Sequence, residues 1–151
     1  MTPEEYKKTL QWQAQKIKKA VSRDLPIIIG KKAVDIYTTN FQKEGFQNAN
    51  IEPWKEVKRR QNPRTKGAAK KRKILTGKTG DLGRSIKYDT GSASVTIYSD
   101  VPYAAVHNEG LRAGRGAGFQ MPQRQFIGDS LEVDEMIETE IDNMMNQILN
   151  I

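Results

Sequence analysis

Apolar residues recur at helical spacing towards both ends of this chain but not across its middle, so its fold must set long helices against something shorter and different in kind. At the start, Thr2 suits a helix N-cap, Pro3 the first helical position, and Glu5 the place where a carboxylate closes a capping box. Tyr6, Leu10, Ala14, Ile17 and Val21 come next at helical spacing and predict one buried face. Lys16, Lys18, Lys19 and Arg23 crowd the far end, where the helix dipole favours cations. Pro26 is expected to break this helix from a second one, which carries Ile29, Ala33, Ile36, Tyr37 and Phe41 and stops at Gly45. At the other end, Asp129 is expected to cap a last helix whose stripe is Val133, Ile137, Ile141, Met144 and Ile148.

Residues 46–73 have no clean period. Asn48, Asn50, Pro53, Asn62, Pro63 and Gly67 interrupt helix and strand patterns alike, which predicts a long loop with Trp54 tucked against the core. A short helical turn is expected from Thr79 to Arg84, then strands at 85–89 and 94–99 around a Thr90-Gly91-Ser92 turn. In the second strand Val95, Ile97 and Ser99 share a face. Tyr103 to Asn108 predicts another helical turn ended by Gly110, and Phe119 to Met121 an edge strand limited by Pro122. The expectation is an α+β fold: a small antiparallel β-sheet flanked by N-terminal and C-terminal helices, in a single domain over residues 1–151. Trp54, Leu82, Ile86, Ile97, Tyr103 and Phe126 are expected in the core. The basic loop at about 56–73 and the glycine-rich loop at about 111–118 are expected to be mobile, being poor in apolar anchors.

Composition narrows the classes. A chain of 151 residues with 36% hydrophobic and 28% charged side chains is that of one globular domain. Its longest apolar run, Ile27-Ile28-Ile29, falls far short of the ~20 residues of a membrane span. The polar, charged start does not fit a signal peptide, and no membrane association is expected. With no cysteine there is no disulfide or thiolate chemistry, in keeping with a cytosolic product. The net charge of +7 is unevenly spread. Residues 55–87 carry thirteen basic side chains against Glu56 and Asp81, whereas 129–151 carry seven acidic ones and no basic one. Such a molecule can pair head-to-tail with copies of itself, or meet nucleic acid with one face.

No catalytic constellation emerges. Gly77-Lys78-Thr79 lacks the earlier glycine of a phosphate-binding loop, since Arg72 stands in its place, and a basic surface run replaces the buried strand. Gly114-Arg115-Gly116-Ala117-Gly118-Phe119 puts Phe119 where a dinucleotide fingerprint needs its third glycine. His107 is the only histidine, too few for a metal site without cysteine, and no nucleophile is placed beside it. It is expected to bond to backbone and to pack its helical turn on the sheet. No cofactor, metal or enzymatic activity is expected. Arg59, Arg60, Arg64, Lys70, Lys71, Arg72 and Lys73 admit three readings: a patch that neutralises phosphates, a dock for an acidic neighbour, or a solvated loop.

Three spaced strings remain: Thr79-Gly80-Asp81-Leu82-Gly83-Arg84-Ser85-Ile86, Tyr103-Ala104-Ala105-Val106-His107-Asn108-Glu109-Gly110, and Pro122-Gln123-Arg124-Gln125-Phe126-Ile127-Gly128. Their order and spacing resemble the phage virion morphogenesis family, at Thr79, Gly80, Leu82, Ser85 and Ile86, at Tyr103, Ala104, His107 and Gly110, and at Pro122, Arg124, Phe126, Ile127 and Gly128. Phe41, Gly45 and Trp54 extend the likeness upstream. The resemblance implies a structural assembly protein: a tail-completion or tail-terminator component forming a ring, a hexamer among the candidate sizes, at the head-proximal end of a phage tail. The implied partners are a tail-tube protein and a head-closure or connector protein, with non-specific contact to DNA passing through the ring. The implied location is the tail or neck of the virion, and the host cytoplasm during assembly. The alternative from a different class is a nucleic-acid-binding module using residues 55–87.

Overall fold

The computed structural model describes residues 1–150. Helix α1 (Pro3–Lys19) starts as its sequence dictates: Thr2 Oγ1 accepts the Glu5 N–H at 3.1 Å, and the Glu5 carboxylate takes the Thr2 N–H at 2.7 Å. Pro26 does not break the helical run. The chain passes through a π-helical turn (Ala20–Asp24) into α2 (Leu25–Lys43), with the Leu25 N–H reaching back to the Ala20 carbonyl. A proline ring crowds the carbonyl four residues earlier, and the wider π turn relieves that crowding. Pro26 itself sits in the first turn of α2, where a missing N–H costs nothing. Helix α2 ends on Glu44 in the left-handed conformation, φ 52°, one residue before the expected stop.

Gly45 instead opens strand β1 (Gly45–Gln47), which pairs antiparallel with β2 (Ile51–Pro53). A Cβ at Gly45 would stand 2.7 Å from the Glu52 carbonyl oxygen, so the close crossing needs glycine. Single helical turns α3 (Lys58–Gln61) and α4 (Ala68–Lys71) come next. The 46–73 stretch is therefore not structureless. Its elements are too short to leave a period in the sequence.

A third turn, α5 (Asp81–Arg84), leads into the hairpin β3 (Ile86–Gly91) and β4 (Ser94–Ser99). Gly91 pairs with Ser94, which moves the turn to Ser92-Ala93, later than expected. Ala93 takes φ 54° and donates its N–H to the Ser22 carbonyl at 3.4 Å. Turn α6 (Ala104–Glu109) ends on Gly110 at φ 69°, and β5 (Arg112–Ala113) pairs with β6 (Phe119–Gln120) around the glycine-rich tip. The last helix, α7 (Leu131–Leu149), is capped by Ser130 rather than Asp129: Ser130 Oγ accepts the Val133 N–H and donates to the Gln47 carbonyl at 2.5 Å. Ser130 is preferred because one hydroxyl serves both bonds while buried, and a carboxylate could only accept.

The fold is α+β as expected, with the strands divided among three two-stranded antiparallel ribbons. Ala33, Tyr37 and Phe41 of α2 form the floor of the core, covered by Phe46, Trp54, Ile74, Leu82, Ile86, Ala104, Phe126 and Val133. Ile97 packs on this cluster half-buried, but Tyr103, expected inside, is 47% exposed because it stands at the N-cap of the next helical turn with its ring lining an open pocket beside His107. The larger correction concerns α1. It buries no residue, and Tyr6 and Leu10 of its stripe are 56% and 47% exposed. Helix α7 packs along α2, with Lys32 paired to Glu140, and covers only the last turn of α1. No helix among the described residues is long and apolar enough to cross a membrane.

Candidate functional site

The three strings meet around one segment, Arg124 to Gly128, which four side chains, two from α2, one from α6 and Trp54 just after β2, fasten to the body. Trp54 Nε1 donates to the Gln125 carbonyl at 2.8 Å, Asn40 Nδ2 to that of Phe126 at 3.0 Å, and the Tyr37 hydroxyl to that of Gly128 at 2.7 Å. Asn108 of α6 faces the same segment, its Oδ1 accepting the N–H groups of Phe126 and Ile127 at 2.8 and 3.0 Å while Nδ2 donates to the Ile127 carbonyl. Phe126 is 1% exposed, with its ring centroid 5.2 Å from that of Phe41. Phe41 meets Trp54 edge-on at 5.4 Å. Main chain without a strand partner must satisfy its polar groups somehow, and these side chains act as the missing strand.

Arg124 is buried, and its guanidinium donates to the carbonyls of Lys55 and Glu56 at 2.9 and 3.4 Å. Burial lowers its pKa, with no carboxylate bonded to it. It bolts the start of the basic segment to the third string. The first string is closed in a similar way: Ser85 Oγ lies 2.6 Å from both the Leu82 carbonyl and Ser99 Oγ, tying α5 to the end of β4. Gly80 at φ 70° and Gly110 at φ 69° supply left-handed bends at the edges of the two helical turns. Pro122 lines a cleft of about 470 Å³ with Lys55, Val57, Phe119 and Arg124.

Between the first two strings lies a pocket of about 260 Å³ lined by Leu75, Thr76, Gly77, Thr79, Asp81, Leu82, Tyr103 and His107. The Tyr103 ring stands edge-on to the imidazole at 6.1 Å. The His107 carbonyl accepts the Arg124 N–H at 2.8 Å, but its Nδ1 is buried without a hydrogen-bond partner, contrary to the expected backbone bond. Burial, then the Arg124 charge, hold its pKa below the ordinary 6.5, so it is neutral near pH 7. No group of three or more histidine or acidic side chains among the described residues is placed to hold a metal ion.

The structure divides the basic cluster. Arg59 donates to the carbonyls of Ala69, Arg72 and Lys73, and Arg60 grips Glu44 with both terminal nitrogens at 2.7 and 2.8 Å. That bidentate pair lowers the Glu44 pKa and raises that of Arg60. Lys73 reaches the Gln42 carbonyl at 2.8 Å. These three brace the chain. Arg72 is half-covered, while Arg64, Lys70 and Lys71 remain exposed on the α3–α4 knob without an ion pair among the described residues. Asn40, Asn108 and Tyr37, which hold the third string, were missed as site residues. Asn40 left one trace, an amide next to Phe41 on an otherwise apolar helix face; Asn108 left none.

These arrangements define a scaffold whose motif side chains fasten main chain, and comparison with known families gives it a class. The model of the phage virion morphogenesis family matches residues 5–146, and the chain belongs to that family. Its role is therefore one of phage structure and assembly, associated with the virion. Comparison with curated proteins and with solved structures gave no significant match.

Proposed function

We propose that this chain is a tail-completion or tail-terminator component, which assembles as a ring at the head-proximal end of the tail and joins it to the head. The observation that carries this reading is the use made of the three strings. Arg124, Ser85, Trp54 and Asn108 spend their polar atoms on holding backbone, so they build a rigid part that presents surfaces. Those surfaces are oppositely charged: residues 55–87 are strongly basic, and α7 carries six acidic side chains and no basic one. Opposite surfaces on one subunit suit a heterologous contact that repeats around a ring. Partners in this reading are further copies of the chain, the tail-tube protein and the head-closure or connector protein.

Light scattering of the purified protein, then electron microscopy with tail tubes, tests it. A closed oligomer seated on one end of the tube is expected. A protein that stays monomeric beside its tube partner and leaves tube ends bare would refute it. A second reading, a nucleic-acid-binding module, is favoured by one observation: Arg64, Lys70 and Lys71 are exposed and unpaired on the knob. It requires duplex binding that weakens with salt at a log–log slope of about −0.9 per phosphate neutralised. Lys70→Gln with Lys71→Gln separates the two, since loss of DNA binding with assembly intact places the knob on DNA.

A further inference from the structure

The first half of α1 is a helix with an apolar side that its own chain leaves open. Helix α7 ends at Leu149, and near that end Met144, Gln147 and Ile148 line a cavity with Lys16, Lys19 and Ala20. The part of α1 before that point extends past the end of α7, about 20 Å of helix at the ordinary rise. On it Tyr6 and Leu10, one turn apart, are largely exposed, and so is Lys7, three residues before Leu10 and on the same side of the helix.

A complementary surface lies further along the same helical run, around the π turn and the start of α2. Val21, Leu25 and Ile29 meet Val95 of β4 and Ile137 and Ile141 of α7 in an open apolar groove of about 250 Å³. Its two edges, Val21 and Ile141, are 41% and 40% exposed. Asp134 and Glu138 precede Ile141 by seven and three residues, which puts them on its side of α7. Neither has an ion-pair partner among the described residues. Tyr6 stands about 22 Å up the helical run from Val21, so a chain cannot fill its own groove.

We propose that the α1 arm of one copy lies in this groove on the next copy, with Tyr6 and Leu10 against Val21 and Ile141, and Lys7, which borders their stripe, facing Asp134 and Glu138. The occupant is a second copy because the arm and the groove match in both respects: an apolar stripe bordered by Lys7 meets an apolar slot bordered by carboxylates. Arm and groove are different surfaces, so the contact is heterologous and propagates from copy to copy until it closes. The inference rests on the self-assembly proposed above and adds to it the surfaces that meet.

The chain has no cysteine, so engineered pairs report without background. Leu10→Cys combined with Ile141→Cys, oxidised at assembling concentrations, is expected to give a ladder of covalent dimers, trimers and larger species. Each single variant should stay one band. A covalent dimer from Leu10→Cys alone would mean arm against arm and overturn the proposal, as would a cross-link within one chain. Absence of any cross-link in a sample that light scattering shows to be oligomeric would overturn it too, leaving self-assembly standing. A sample monomeric at every concentration would bring down both readings. As a second measurement, Lys7→Glu should weaken association about fivefold, with Glu138→Lys restoring it in mixed or combined variants and Lys8→Glu, on the far face, having a smaller effect. Far-UV circular dichroism checks that the variants fold. Unchanged association after the reversal would refute the charge pairing on which the choice of occupant depends.

Discussion

Replacing Asn108 by alanine tests whether the segment from Arg124 to Gly128 is held by side chains acting in place of a strand. The amide accepts the N–H groups of Phe126 and Ile127 through one oxygen and donates to the Ile127 carbonyl. Alanine leaves two main-chain donors and one acceptor without that partner, in a site where Phe126 is 1% exposed. A buried polar group stripped of its partner costs about 1–3 kcal/mol. Asn108 is only half-buried, so water can recover part of the loss, and a total of about 2–4 kcal/mol is expected for the three groups. Urea unfolding reads this directly: with a slope of about 1–3 kcal/mol per molar for small proteins, the midpoint should fall by about one molar or more while the slope stays unchanged. Asn108→Asp keeps the two acceptances and loses only the donation, so it should cost less than alanine near neutral pH. An alanine variant within about 0.5 kcal/mol of the parent, the range of an ordinary surface substitution, would refute the reasoning.

Three further outcomes are expected elsewhere in the structure. Gly30→Ala should cost about 1–3 kcal/mol by overpacking, because the added Cβ would lie 2.7 Å from Tyr88 Cγ. Combining it with Tyr88→Val should recover much of that loss in a thermal melt, and additive effects would argue against the close approach. His107 has a folded pKa below its ordinary 6.5, so the unfolded chain binds its proton first as pH falls. Its contribution is therefore full above about 6.5 and is lost as pH falls from there through the folded value. His107→Gln should flatten stability between about pH 7 and 5, and an NMR titration at or above the ordinary 6.5 would contradict the assignment. Limited trypsin digestion should cut after Arg64 and Lys66 before Arg59 and Arg60, whose guanidiniums are tied into the chain. Early cleavage after Arg59 would show that those braces do not hold.

How much of this was legible in the sequence depended on the length of each element. The capping box at Thr2 and Glu5, the stripe of α2 and the stripe of α7 are long local signals, and each gave its helix. The 46–73 stretch hid a three-residue ribbon and two single turns, because a period cannot show itself in so few residues. The first and third strings placed Leu82 and Phe126 in the core correctly, whereas the second string pointed to Tyr103 and its neighbour Ala104 is the buried residue. The locks on them did not show, since Asn40 reaches Phe126 across 86 positions and Trp54 reaches Gln125 across 71. The basic segment misled in a different way. Charge counting treats every arginine as solvated, whereas Arg59 and Arg60 are spent on carbonyls and Glu44.

The two errors at the N-terminus have one physical origin. Periodicity reports that a helix has an apolar side; it does not report which molecule covers that side. For α2 and α7 the cover is the rest of the chain. For α1 the stripe is present and its cover is absent, because the π turn keeps α1 running on into α2 instead of letting Pro26 fold it back. Had Pro26 broken the run, Tyr6 and Leu10 could have been carried back towards the body, although never onto Val21, which shares their helical run ahead of Pro26. The continuous run makes intramolecular closure impossible and leaves a stripe and a slot on one subunit, about 22 Å apart. In the assembly we propose, that stripe and that slot belong to one contact between neighbouring copies, so burial that the fold denies within one chain is supplied between two.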